Sequence, residues 1–496
     1  MRERVKLPPS KVVVDYLIRP RLDAGSYASF EPIMDLNRAH VVMLAARSII
    51  KQETARTLIR VLEDVRAAGP AEVTWDPALE EAYYNLEAHI IKKAGPAIGG
   101  QMHTGRSRND LGAALTRMSA RSQLLSLATL LHSLREELLL LAETHASTIV
   151  TGYTHMQPAQ PTTLGHYFHA VAHALERDEL RLQQSYEVVN RCPLGACAFN
   201  TTGFPIDRQM LAELTGFSGL VENSIDAVAS RDYIPQILVA LAILAVNLSR
   251  LAQDLYTWGT DEFGWLEIGD EVATTSSIMP QKKNPITLEH IRSKSSHLIG
   301  ATTAALAAQK GVPYGHLRDI SLESVHPLRE GLKEAEAVLS LTTATLRSLE
   351  IKGNVADKRA AENFSTVTEL ADVMVRETEI SFREAHIVVG SAVSELYARG
   401  APPTDLTIQL LDRIAEARFG HPSGLSENSL RQALSPAANV AIRRVRGGPA
   451  PSEVLRSIEA SRKRFTTQQT WWDEQKASLE AAQRRLDAAA ASLAAT

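Results

Sequence analysis

Apolar residues recur at helical spacing through much of the chain. Between Asp35 and Ala68 they fall at Val42, Ala46 and Ile49, then at Leu58, Val61, Leu62 and Val65, which predicts two or so helices. Pro8, Pro9 and Pro20 break any long element before them, so residues 1 to about 35 are expected to be irregular. A Gly69-Pro70 break and a Trp75-Asp76-Pro77 turn precede a further helix around Glu81–Lys93. Two longer segments carry seams at alternating three- and four-residue steps. One runs through Leu124, Leu127, Leu131, Leu134, Leu138 and Leu141, the other, near 233–258, through Ile237, Leu241, Leu244, Leu248, Leu251 and Leu255. Paired seams of this length predict a long helical bundle. Leu125, Leu130, Leu139 and Leu140 lie off the first seam, and that surplus predicts self-association. After Gly447-Gly448-Pro449 one helix is expected, followed by an extra terminal helix at about 467–496. Its apolar stripe is Trp472, Leu479, Leu486 and Leu493.

The 496 residues leave room for about three domains on the usual length scale. With 53 Lys and Arg against 57 Asp and Glu, the net charge of −4 provides no field for nucleic acid or an anionic membrane. The basic run Arg443-Arg444-Val445-Arg446 is too small to change that. Cys192 and Cys197 are the only cysteines, which excludes a disulfide framework and predicts a reducing, cytoplasmic setting. No second Cys/His pair completes a metal site with them, so no metal is expected. Residues Met1 to Lys6 are charged but lead into no apolar stretch, so no signal peptide is expected. The most apolar run, Ile237 to Val246, is too short to span a bilayer.

Three polar stretches carry the candidate chemistry. Thr274-Thr275-Ser276-Ser277-Ile278-Met279-Pro280-Gln281-Lys282-Lys283-Asn284-Pro285 sets two hydroxyls, two ammonium groups and an amide between prolines, which reads as a loop opening a helix. A Lys-rich solvated turn is the plainer alternative. In Gly99-Gly100-Gln101-Met102-His103-Thr104-Gly105-Arg106-Ser107-Arg108-Asn109-Asp110, glycines allow close backbone approach and Arg and Asn offer forked donors for carboxylates. The same string also reads as a helix start with Asn109 or Asp110 as N-cap. Gly152-Tyr153-Thr154-His155-Met156-Gln157-Pro158-Ala159-Gln160-Pro161 places a histidine in a proline-punctuated turn, where a structural role and a catalytic one are equally open.

These strings resemble the argininosuccinate lyase branch of the fumarase/aspartase superfamily. The first is similar to its signature loop, Gly-Ser-Ser-x-Met-Pro-x-Lys-x-Asn, with Thr275 in place of the Gly. His103 to Asp110 is similar to the family's His-Thr-Gly-Arg-Ser-Arg-Asn-Asp block throughout, and Gly152 to Pro161 to its Gly-Tyr-Thr-His-x-Gln-x-Ala-Gln-Pro block, with Pro158 where Arg is common. Pro193-Leu194-Gly195, Phe204-Pro205-Ile206-Asp207-Arg208, Asn223-Ser224-Ile225-Asp226-Ala227-Val228 and Phe382-Arg383-Glu384-Ala385-His386 extend the likeness over about 99–455.

The resemblance implies a mainly α fold of three helical domains: 1–109, a central long-helix bundle at 110–357 containing the loop 274–285, and 358–496. It also implies a homotetramer whose active sites are shared among three subunits. The implied reaction is β-elimination of an N-substituted aspartate to fumarate and an amine, without metal or cofactor. In it Ser276 is the base, Lys282 with Asn284 stabilises the aci-carboxylate, and His155, paired with Glu289, is the acid for the departing nitrogen. Amides of Ser277 and Met279 assist, Ser107, Arg108, Asn109 and Thr154 grip the succinyl carboxylates, and Gln157 and His316 also line the substrate.

Departures from the pattern concern the amine. The family's opening Trp-Gly-Gly-Arg-Phe segment is absent. Its Tyr-Asn-Lys-Asp-Leu-Gln-Glu-Asp-Lys stretch, which contacts the arginine half, is here His316-Leu317-Arg318-Asp319-Ile320-Ser321-Leu322-Glu323-Ser324. Tyr, Gln and the last Lys are thus replaced by His316, Ser321 and Ser324. The expectation is a C–N lyase whose amine is not necessarily arginine, with relatives that cleave ethylenediamine-disuccinate showing the kind of alternative available. True argininosuccinate cleavage and a catalytically idle, crystallin-like oligomer are the alternatives.

Overall fold

A computed structural model of the chain describes residues 7–495. The expectation of no signal peptide falls partly on residues 1–6, outside the described residues. The next segment is not irregular. Residues 11–25 are helical throughout: a π turn (Val14–Ile18) runs directly into α1 (Arg19–Gly25), and it carries the helix past Pro20, which has no N–H to donate. It is followed by α2 (Phe30–Ala46), α3 (Gln52–Ala68) and α4 (Ala82–Ala94). These helices enclose a first core around Met34, Leu44, Leu58 and Leu86. Leu111 and Ala114, at the start of α5 (Arg108–Thr144), join it, as do Leu194, Leu211 and Phe217.

The second core is the bundle. It is built by α5, α6 (Leu164–Val189), α7 (Tyr233–Trp258), α8 (Ile286–Gln309) and α9 (Val325–Arg347). Every seam residue of α7 is at most 2% exposed, and on α5 only Leu141 is more than marginally accessible. Full burial of one such leucine stabilises by about 1.5–3 kcal/mol relative to exposure, so the two seams account for much of the bundle's cohesion. α7 is long and apolar enough to cross a membrane, with 26 residues and a most apolar window of mean hydropathy 1.8. Here that apolarity is spent on the bundle interior. Three two-stranded ribbons cap the helices: β1 (Ile149–Thr154) with β2 (Gln157–Thr163), β3 (Leu266–Glu267) with β6 (Glu350–Ile351), and β4 (Thr274–Thr275) with β5 (Lys283–Asn284). A third core, around Leu370, Met374, Val388, Leu411 and Leu430, joins α10 (Val367–Glu377), α11 (Phe382–Ala398), α12 (Ile408–Phe419) and α13 (Glu427–Leu434).

The terminal helix departs from expectation. One continuous α14 (Pro451–Ala495) replaces the two helices read from the sequence, because no Gly or Pro interrupts it after Pro451. Nor does it join the third core. Val454, Ile458 and Trp472 enter the bundle core, while Leu486 and Ala490 enter the first.

A buried polar cluster fastens α14 to the bundle. The Arg135 guanidinium pairs with Glu179 and donates to Gln468 Oε1 at 2.7 Å, while Trp472 Nε1 donates to Glu179 Oε1 at 3.2 Å. His132 Nε2 stands 2.8 Å from the same oxygen. Arg135 and Glu179 are almost wholly buried, so removing one charge strands the other. A Glu179→Ala variant is therefore expected to lose about 3–5 kcal/mol of stability, measured by chemical denaturation.

Candidate functional site

Two hairpins at the bundle carry most of the candidate groups. The β1–β2 turn is made by His155 and Met156, both left-handed with φ of 52° and 59°. A two-residue turn with both φ positive matches strand twist but strains any residue with a Cβ. Behind it Tyr153 packs on Phe263 and Trp265, with ring centroids 5.8 and 6.0 Å away. Thr154, His155 and Gln157 are all exposed at the tip.

The loop at 274–285 is likewise a hairpin, with Thr274 opposite Asn284 and Thr275 opposite Lys283. At its bend the Ser276 hydroxyl oxygen accepts from the amides of Met279 (3.0 Å) and Ile278 (3.3 Å). Two aligned N–H dipoles lower the cost of negative charge on that oxygen. The two lysines differ. Lys283 is tied to Asp270 (2.7 Å) and Glu267 (3.1 Å), and Lys352 holds Glu267 from the other side (2.9 Å). Lys282 is exposed and makes no ion pair among the described residues. Ser277 and Met279 face outward as well, and Asn284 is half-buried. Glu289, in the first turn of α8, accepts from the Tyr256 hydroxyl at 3.3 Å.

The start of α5 holds the third group. Its N-cap is Ser107, not Asn109 or Asp110: Ser107 accepts from Asn109 N, and Asp110 three residues on returns a bond from Ser107 N, a reciprocal capping box. The Ser-x-x-Asp spacing was the available signal. Asp110 is fully buried and also accepts from Gly195 N (3.0 Å) and Cys197 N (2.9 Å), locking this turn to the 192–198 segment. Burial pushes its carboxyl up to about 6 against the pull of these amides. Asn109 Nδ2 donates to Ala198 O at 3.0 Å. Arg108 turns the other way, over the Tyr84 ring at 5.5 Å and 3.6 Å from Glu81.

His316 lies in the electrostatic neighbourhood of Arg108, Arg318, Arg231 and Glu81. Burial first, then those guanidiniums, hold its imidazole down at about 4. Its Nδ1 and the Ser321 hydroxyl are buried without a partner among the described residues. Ser324 is fully buried and donates to Ile320 O at 2.7 Å, so it presents nothing to a ligand. Thus the fold brings Arg108 and His316 together. His155 and Glu289 are not bonded within the chain: the carboxylate has Tyr256 instead. Sequence reading missed Glu81, which anchors the arginines. Among the described residues no group of three or more His, Cys, Asp or Glu is placed to hold a metal.

Comparison with known proteins decides the family. The "Lyase" family model matches residues 33–300, more than half of the chain, and the "Argininosuccinate lyase C-terminal" model matches 364–441. Argininosuccinate lyase 1 of Shouchella clausii is 43% identical over 456 residues, 92% of each chain. This chain belongs to the argininosuccinate lyase family. The argininosuccinate lyase of Methanothrix thermoacetophila is 41% identical over 478 residues, covering 96% of this chain and 95% of its own. Among solved structures, EDDS lyase in complex with formate superposes with a TM-score of 0.88 at 32% identity, covering 100% of this chain and 99% of that one. A 3-carboxy-cis,cis-muconate lactonizing enzyme from Pseudomonas putida, at 17% identity and a TM-score of 0.70 over 92% of this chain and 100% of its own, shares the fold. The mainly α, fumarase/aspartase-type architecture is therefore that of the family.

The depressed His316 sets an acid limit. Its unfolded imidazole takes up a proton near 6.5, whereas the folded one does so only near 4. Stability is therefore lost as pH falls through that window, and a His316→Gln variant is expected to lose less between pH 6.5 and 4 than wild type, read from paired denaturation curves.

Proposed function

We propose that the chain is a carbon–nitrogen lyase that splits an N-substituted L-aspartate reversibly into fumarate and an amine. The observation that carries this reading is the Ser276 hydroxyl, held by two amides at the bend of an exposed hairpin. Family membership and the likeness to a solved EDDS lyase variant with bound fumarate (TM-score 0.88, 32% identity, 100% of this chain and 99% of that one) support the reaction class. Ser276, as alkoxide, removes the proton from the carbon beside the succinyl carboxylate. Charge then builds on that carboxylate, where Lys282 and Asn284 meet it, with the amides of Ser277 and Met279 assisting. The C–N bond breaks as the C–C double bond forms, and His155 protonates the departing nitrogen. Ser107, Arg108, Asn109 and Thr154 hold the succinyl carboxylates, and Gln157 and His316 line the remainder. This chemistry uses no cofactor.

Two further parts of the reading concern assembly. Glu289 is paired with His155 of another subunit, in a homotetramer whose sites draw on three chains. The apolar face for such assembly is supported by Val239, Ile243 and Val246 on α7, with Ile299 and Leu306 on α8, all at least 36% exposed. Of the α5 surplus, Leu139 is buried inside the chain, Leu125 and Leu130 are half-buried and Leu140 is exposed. The free, buried Cys192 and Cys197 support a reducing, cytoplasmic location. Arginine as the amine is the second reading, favoured by the relatives named argininosuccinate lyase. The replacements His316, Ser321 and Ser324 favour a different amine.

Formation of fumarate, followed by its absorbance with a panel of N-substituted aspartates, tests the reading. Ser276→Ala is expected to lower turnover about 10³-fold with the circular dichroism spectrum unchanged. Full turnover by that variant removes the base. Ile243→Glu is expected to shift the mass in light scattering from four chains to fewer, and an unchanged mass removes the α7 face from the assembly.

A further inference from the structure

Facing positions on α7 and α8 form a short polar ladder just past the 274–285 hairpin. Arg292 donates to Gln253 Oε1, and the Tyr256 hydroxyl donates to Glu289 Oε1 at 3.3 Å. The two rungs, 253 with 292 and 256 with 289, run in opposite chain senses, and the three-residue steps keep each helix's pair on one face. The Arg292 guanidinium also lies over the Tyr256 ring, 4.5 Å from its centroid. The phenol is thus held at its face by a cation and at its hydroxyl by a carboxylate.

Holding two helices together does not ask for this arrangement. A separation of 3.3 Å is long for O–H···O, which ordinarily spans about 2.5–3.0 Å, and the α7 seam is already buried without it. A bond of that length has room to tighten when the carboxylate takes part in proton transfer. Tyr256 and Glu289 are half-buried, and among the described residues Glu289 makes no ion pair. The other groups around it are engaged or turned away. On α7, Asp254 accepts from Tyr167 at 2.6 Å. Before α8, Lys283 is tied to Asp270 and Glu267. From α9, the first turn of α8 meets the uncharged Thr345, bonded to Thr287 at 2.8 Å. On α8 itself, His290 is exposed. Tyr256 takes Oε1 and so leaves Oε2 of Glu289 for a second partner. We infer that Tyr256 is a positioning residue for the acid step: it fixes Glu289 by one oxygen and presents the other to His155 of another subunit. Its O–H also draws charge from the carboxylate, which then holds the imidazolium proton less firmly and lets it pass to the departing nitrogen. Tyr256 acts only through Glu289. The inference rests on the lyase reading for the pairing of Glu289 with His155.

Deuterium exchange at the imidazole carbon between the two nitrogens, read by mass spectrometry of the His155 peptide from the full chain, tests it. Followed over about pH 5 to 9, it reports the protonation of that imidazole whether or not a substrate is turned over. Glu289→Gln removes the partner charge and is expected to lower the midpoint. Tyr256→Phe deletes only the donor and is expected to raise the midpoint by about half to one pH unit, with the circular dichroism spectrum unchanged. In the Glu289→Gln background the same substitution is expected to do nothing. A midpoint unmoved by Tyr256→Phe, one unmoved by Glu289→Gln, or a Tyr256→Phe shift that persists in the Glu289→Gln background overturns the inference. Fumarate absorbance with argininosuccinate and with ethylenediamine-disuccinate, measured on the same proteins, separates the two readings. Tyr256→Phe is expected to lower kcat about 3- to 10-fold and leave KM within about twofold, because the acid step follows binding. An unchanged kcat overturns the inference and leaves the lyase. Fumarate from neither substrate sinks the lyase reading, and the midpoints then decide the link from Tyr256 through Glu289 to His155 by themselves.

Discussion

The burial of the α7 seam is the constraint on which the rest of the molecule depends. α7 lies against α6, α8 and α9, and its six seam positions are closed to solvent. A helix fixed along its whole length in this way cannot slide by a turn without exposing leucines, and each exposed leucine costs about 1.5–3 kcal/mol. The bundle is therefore a rigid post, and the candidate chemistry is carried by short hairpins and helix ends attached to it. That division suits a reaction in which hydroxyl, ammonium and imidazole groups have to converge on one small diacid.

The two hairpins are held by different physics. The β1–β2 turn is held by aromatic packing: beside the left-handed His155 and Met156, Tyr153 packs on Phe263 and Trp265, which also pack on each other. The 274–284 hairpin is held by exposed ion pairs through Lys283, Glu267, Asp270 and Lys352. Exposed pairs contribute little to stability and weaken with salt. The first hairpin is thus a stiff mount and the second a yielding one. Glu267 and Lys283 also perturb each other: hydrogen bonds from Lys352 and Lys283 hold the Glu267 carboxyl below its usual range, and Asp270 raises the Lys283 ammonium. Glu267 therefore keeps its charge to lower pH than an unpaired glutamate.

Much of this was legible in the sequence, and the failures have physical causes. The α5 and α7 seams gave the bundle because a seam is a local periodic signal that tertiary packing reinforces. The candidate site residues were named from strings whose likeness to a family is long and specific, and their local settings follow from bends and caps. What could not be read was anything set by contacts distant in sequence. Glu81 looked like the start of an ordinary helix, and only the fold brings Arg21, Arg108 and Arg318 to it. Pro20 was taken as a breaker because it lacks an amide donor, and the π turn at Val14–Ile18 that carries the helix past it has no signature in the sequence. The stripe at Trp472, Leu479, Leu486 and Leu493 announced a packed helix but not its two separate partners.

Those two partners have a consequence for biogenesis. α14 follows both cores in the chain, yet Trp472 and Gln468 complete the polar cluster around Arg135, and Asp487 reaches Arg38, itself 3% exposed, at 2.8 Å. Until α14 has been made, both the first core and the bundle lack a wall, and two guanidiniums lack part of their bonding. Domains that would otherwise fold in order of emergence are therefore tied to a common finishing step, so that a prematurely terminated chain is left open at two surfaces, available to quality-control proteases.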